Sequence, residues 1–174
     1  MKKFLAVLLA AVMLFSCAAM AETIQFVEGS TDFDILVEIP EGVQYTLFDS
    51  VGGVPMVHFQ KGNGANVFVS IQASEQFDGN LKDLPEEDQE ILIAGLAMDF
   101  NDDVEIIKEI TPKGNMYVHF HTDDNTNVET LWTLYAGYGI TFTLFPDNGS
   151  TVTEEDHEFM MQLFYDMDIL PIAK

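Results

Sequence analysis

Arginine is absent from this chain of 174 residues, and seven lysines stand against 29 aspartates and glutamates, a formal net charge of −22. Phosphate binding is driven by Lys and Arg releasing counterions, so this balance excludes a nucleic-acid partner and opposes anionic lipid headgroups. A cationic ligand or a basic partner stays compatible with it, although an acidic surface also serves simply to keep an exported domain soluble. Cysteine is nearly as scarce, and the single Cys17 permits no disulfide framework. No Gly-x-Ser-x-Gly elbow presents a serine, and no His-Glu-x-x-His motif is present. Gly62-Asn63-Gly64 is not followed by the Lys-Ser/Thr pair of a phosphate loop, so it reads as a hairpin turn. With no reaction signature and no cofactor motif, the information lies in the order of the elements.

The first 21 residues read as an export signal. Lys2 and Lys3 form a basic start, Phe4–Phe15 is an apolar run too short to span a bilayer, and Ala19-Met20-Ala21 is a small-x-small cleavage site. Leu14-Phe15-Ser16-Cys17 partly matches a lipobox, in which Cys17 would carry the lipid, but bulky Phe15 disfavours it against simple release. Either outcome places the chain outside the cytoplasm. Residues 22–32 read as a polar leader with a short strand at Ile24–Val27, and 33–174 as a single domain, long enough to bury its own core and expected to be a monomer.

Within that domain Phe33, Ile35, Val37 and Ile39 alternate until Pro40-Glu41-Gly42 stops the strand. Strands follow at Gln44–Asp49, Val54–Gln60 and Asn66–Ser74, separated by Gly-rich turns. Asp83 as an acceptor, Pro85 and the acids after it predict a helix start, with Leu92, Leu96 and Phe100 along one side. Val104–Ile110, Asn115–Thr122, Val128–Ala136 and Gly139–Phe145 predict further strands. Met116, Val118 and Phe120 are expected on the buried face with Trp132, Leu134 and Ala136, and Gly137-Tyr138-Gly139 is expected to form a turn. Thr153 opens a helix in capping-box style with Asp156, and its stripe Phe159, Met160, Leu163, Phe164, Met167 should lie on the sheet. The fold class is α+β, an antiparallel sheet packed by two or more helices.

This order resembles the PsbP-like superfamily, which includes the photosystem subunit PsbP and bacterial DcrB-like lipoproteins. The resemblance rests on Phe33–Gly42, the helix Leu84–Phe100, the turn Gly137–Gly139 with Ile140–Leu144 behind it, and the last helix, and spans about Phe33 to Leu170. It implies an α/β/α-type sandwich and a non-enzymatic binding or accessory role, and it assigns no functional residue.

Two sets of residues are candidates for binding. Tyr117, His119, His121, Thr133 and Tyr135 fall on the sheet face opposite the expected core, where they would form a surface for an unidentified protein or small ligand; Phe68 and Phe145 are expected on the same face as Tyr117 and Tyr135. His119 and His121, two apart in a strand, point to one side and could share a metal with His58, the arrangement a metal-dependent hydrolase would need. Against that, alternate polar residues are what any half-covered sheet face shows. Asp99–Asp103 and Asp123–Asn127 supply oxygen ligands but not the spacing of an EF-hand, and read as solvated loops. His157 stands among Glu154, Glu155, Asp156 and Glu158 and is expected to be solvated, with a raised affinity for its proton.

Overall fold

The alternating and four-residue patterns become ten strands and two helices among the described residues: β1 (Ala21–Ile24), β2 (Phe33–Glu38), β3 (Val43–Val51), β4 (Val54–Lys61), β5 (Asn66–Ala73), α1 (Glu86–Ala97), β6 (Val104–Ile110), β7 (Met116–Thr122), β8 (Glu129–Tyr135), β9 (Tyr138–Phe145), α2 (Glu154–Asp166) and β10 (Asp168–Pro171). The computed structural model describes residues 21–24, 33–51, 54–62, 64–100, 104–122, 128–146 and 151–171. The export segment before Ala21, Cys17 and the acidic stretches 101–103 and 123–127 lie outside them. The short N-terminal strand is found at Ala21–Ile24, ahead of its expected place, and pairs antiparallel with β2.

Seven strands form one antiparallel sheet in the order β3-β4-β5-β9-β8-β7-β6, so β9 is inserted between β5 and β8. The remaining three make a small sheet, β1-β2-β10, whose Val37 reaches the main core. Among the described residues no helix is long and apolar enough to cross a membrane.

Each helix covers one face of the large sheet. The α2 stripe is as expected, with Phe159, Met160, Leu163 and Phe164 buried against Val67, Val69, Leu131, Ile140, Phe142 and Leu144. Fully burying such side chains is worth at most about 1.5–3 kcal/mol apiece, which is what holds a marginal helix in place. Its start carries the expected capping box: the Asp156 backbone N–H donates to Thr153 Oγ1, and the Thr153 backbone N–H donates to Asp156 Oδ2 at 3.1 Å. On the other face Leu81 and Ile93 pack on Val118, Phe120, Trp132 and Leu134, with Leu92, Leu96 and Phe100 beside them.

Two local expectations are corrected. The helix after Asp83 begins at Glu86, because Leu84 precedes a proline and is held extended (φ −74°, ψ 148°). Asp83 belongs to a short 3-10 turn instead, and no side chain caps α1. The β8–β9 turn is Ala136-Gly137, since Tyr135 pairs with Tyr138. Both turn residues have positive φ (48° and 82°), the backbone of a two-residue hairpin whose twist matches its strands, so Ala136 is exposed in the turn rather than buried in a strand.

Candidate functional site

Register decides which predicted residues meet. Reading across the ladders, His119 pairs with Leu131, Leu131 with Phe142, Phe142 with Val69 and Val69 with Val57, all on the α2 side. His58 pairs with Phe68, Phe68 with Thr143, Thr143 with Thr130 and Thr130 with Phe120, on the α1 side. His58 is therefore on the opposite face from His119 and His121, stacked on Phe68 at 4.4 Å and 2.8 Å from Asn66 Oδ1. The His58, His119, His121 cluster does not assemble, and the hydrolase reading that required it has no support.

The face of Tyr117, His119, His121, Thr133 and Tyr135 is not an open surface either. Helix α2 lies on it, leaving Tyr117 0% and Thr133 3% exposed. The Thr133 hydroxyl donates to the Met116 carbonyl at 2.7 Å, and Tyr135 is half-buried at the edge of the core. Phe68 and Phe145 are on the α1 side, so they do not share a face with Tyr117 and Tyr135. Tyr117 donates to the Glu109 carboxylate, and its hydroxyl lies 3.0 Å from that of Tyr165. Burial first, and then these two partners, push the Tyr117 phenol well above the usual tyrosine range.

What the sheet does assemble is a histidine and carboxylate cluster beneath the first turn of α2. His119 and His121 come from β7, Glu129 from the start of β8, and His157 from α2. His157 Nδ1 is 2.7 Å from Glu129 Oε2, while His121 Nδ1 and His119 Nε2 are 3.4 and 3.9 Å from Glu129 Oε1. The His119 ring stacks on His157 with centroids 5.6 Å apart. His119 Nε2 is buried and has no hydrogen-bond partner among the described residues. An open cleft of about 460 Å³ leads to the cluster, and Glu105 and Glu154 also line it; among the described residues no lysine does.

Each protonation preference has a cause in that geometry. Burial raises the Glu129 carboxyl, but the hydrogen bond from His157 and the surrounding imidazoles outweigh it and hold the group below the usual carboxylate range. The hydrogen bond to Glu129 raises His157 against the opposing effect of burial. Burial lowers His119, with Glu129 acting the other way. The cleft thus presents an ionised carboxylate and a protonation-resistant imidazole side by side.

Sequence reasoning passed over Glu129, although it is one alternation from Leu131 and two from Thr133 and so shares the face of His119 and His121. For His157 the expected direction of the shift is found. Its principal cause is Glu129 across the sheet, and of the acids next to it in sequence Glu158 contributes, but less.

No family model matches the sequence, and no curated protein matches it. The chain is similar in structure to cyanobacterial PsbP (CyanoP) from Synechocystis sp. PCC 6803, solved in solution, with 16% sequence identity over 88% of this chain and 95% of that one and a TM-score of 0.47.

Proposed function

We propose that this protein is a non-catalytic binding module acting outside the cytoplasm, and that the cleft beneath α2 receives a positively charged group of its ligand or partner. The observation that carries the reading is the Glu129 carboxylate: it is 7% exposed and held in its ionised form, and it lines a cleft that has Glu105 and Glu154 in its wall and, among the described residues, no lysine. A buried carboxylate is costly unless paired, and here the hydrogen bond from His157 satisfies one oxygen, while the other has only the longer approaches of His121 at 3.4 Å and His119 at 3.9 Å. The formal charge of −22 would draw cations toward this side from a distance and speed their arrival. The export signal of residues 1–21 and the excess of acids over lysines support the assignment to an extracytoplasmic compartment.

Titration of the full chain with spermidine and with a tetralysine peptide, followed by backbone amide NMR in chelator-treated buffer, tests the reading. Saturable shifts should centre on β7, the start of β8 and the first turn of α2, and Glu129→Gln should weaken them at least about tenfold, a loss of about 1.4 kcal/mol. Shifts scattered over the acidic surface without saturation, or unchanged by Glu129→Gln, would end it.

A further inference from the structure

The geometry points to a specific occupant of the cleft: a single transition-metal dication of the zinc type, bound by His119, Glu129 and His157, with His121 as the fourth donor. This inference rests on the reading of the cleft as a cation site and deepens it.

Four observations lead there. Ligand atoms of His119, Glu129 and His157 all lie within 4.8 Å of one another. A tetrahedral ion about 2.0–2.1 Å from each donor holds its ligands roughly 3.4 Å apart, so donor atoms that lie no more than 4.8 Å apart reach that spacing by side-chain adjustment. Second, His119 Nε2 is buried without a hydrogen-bond partner among the described residues, in a residue only 8% exposed. An imidazole nitrogen kept out of water and unpaired is destabilising, and a metal ion is the partner that would satisfy it. Third, the donors are two or three imidazoles and one carboxylate. That set suits zinc, copper or nickel, whereas calcium and magnesium prefer all-oxygen sites.

The fourth observation is rigidity. His119 and Glu129 sit on adjacent strands of the sheet, and His157 is in the first turn of α2, whose backbone the capping box orders, with its Nδ1 2.7 Å from Glu129 Oε2. The first turn of α2 is thereby held over the sheet before any ion arrives, so little ordering is left to oppose binding. His121 is the least buried of the four; it is outside the three residues whose ligand atoms already lie together, but its Nδ1 is 3.4 Å from Glu129 Oε1, so turning toward the ion would let it fill the fourth position. A closed four-donor site is a holding or structural site rather than one that activates water.

The test uses the full chain freed of metal by chelation. Calorimetric titration with zinc should give one ion per chain, and cobalt substitution should give the intense visible absorption of tetrahedral coordination. His157→Gln and His119→Ala should each weaken zinc by more than about tenfold, since even outer partners of metal ligands are worth 10–100-fold. His58→Gln, on the opposite sheet face, should bind as the parent does, and circular dichroism confirms that each variant is folded. If His119→Ala does not fold, His157→Gln alone carries the test, because His157 is on the half-exposed first turn of its helix. Absence of equimolar binding, an octahedral cobalt spectrum, or affinity unchanged in the folded variants overturns the assignment. Should spermidine still bind at the cleft while zinc does not, the metal assignment falls alone; should neither bind, the cation reading of the cleft falls with it.

Discussion

The two faces of the seven-stranded sheet are built to different standards. Beneath α2 the apolar layer runs from Val57 and Phe59 on β4 through Val69 and Phe142 to Leu131, and it gives way to polar groups toward β8, β7 and β6, where Thr133 meets the Met116 carbonyl, Glu109 meets Tyr117 and Glu129 meets the histidines. Beneath α1 the layer is small, centred on Val118, Phe120, Trp132 and Leu134. Farther along that face, past the reach of α1, Phe68 and His58 stack on each other and Phe145 is 40% exposed. Buried polar groups in the thinner layer could relax toward water. In the thicker one they cannot, so an ionised Glu129 there has to be matched by partners placed for it.

That contrast sets the sizes of the expected mutational effects. Phe142→Ala, in the middle of the α2 layer, should lower stability by about 3–5 kcal/mol in urea unfolding, whereas Phe68→Ala on the open part of the other face should lose about 1–2 kcal/mol. Equal losses would show that the two faces contribute alike. Glu129→Ala should lose about 1–3 kcal/mol, because it leaves the half-buried His157 without its acceptor. A neutral result would mean that water already satisfies this imidazole.

The helix starts offer a narrower comparison. Thr153→Ala removes the side-chain cap of α2 and should cost about 1 kcal/mol, while Asp83→Ala, ahead of the uncapped α1, should stay within about 0.5 kcal/mol. At neutral pH Tyr117→Phe should cost about 1 kcal/mol from its lost hydrogen bonds, and that variant should also alter the alkaline limb. The Tyr117 phenol is raised in the folded chain, so the unfolded chain gives up its proton first. Stability from this group is intact below about pH 10 and falls as pH rises above it. Thermal unfolding between pH 9 and 11 should show a shallower decline in Tyr117→Phe than in the parent, and parallel curves would refute the role given to this phenol.

The residues by themselves determined the elements. Phe33 to Ile39, Ile140 to Leu144 and the stripe from Phe159 to Met167 carry periods of two and of 3.6 that suit only one backbone each, and Thr153 with Asp156 marked the helix start because a cap is a local interaction. In β8 the residues mark the strand but not which face is open, since Glu129–Leu134 are buried on both sides and that distinction requires one face in water. For the same reason the face of Tyr117, His119 and Thr133 looked open when it is the one that α2 covers. Which histidines meet was decided by register alone: one step along a strand sends His58 to the far side of the sheet from His119, and only the ladders fix that step. Glu129 and His157 stand 28 residues apart and meet at 2.7 Å because β9 and α2 fold back over β8, a proximity that no local pattern encodes.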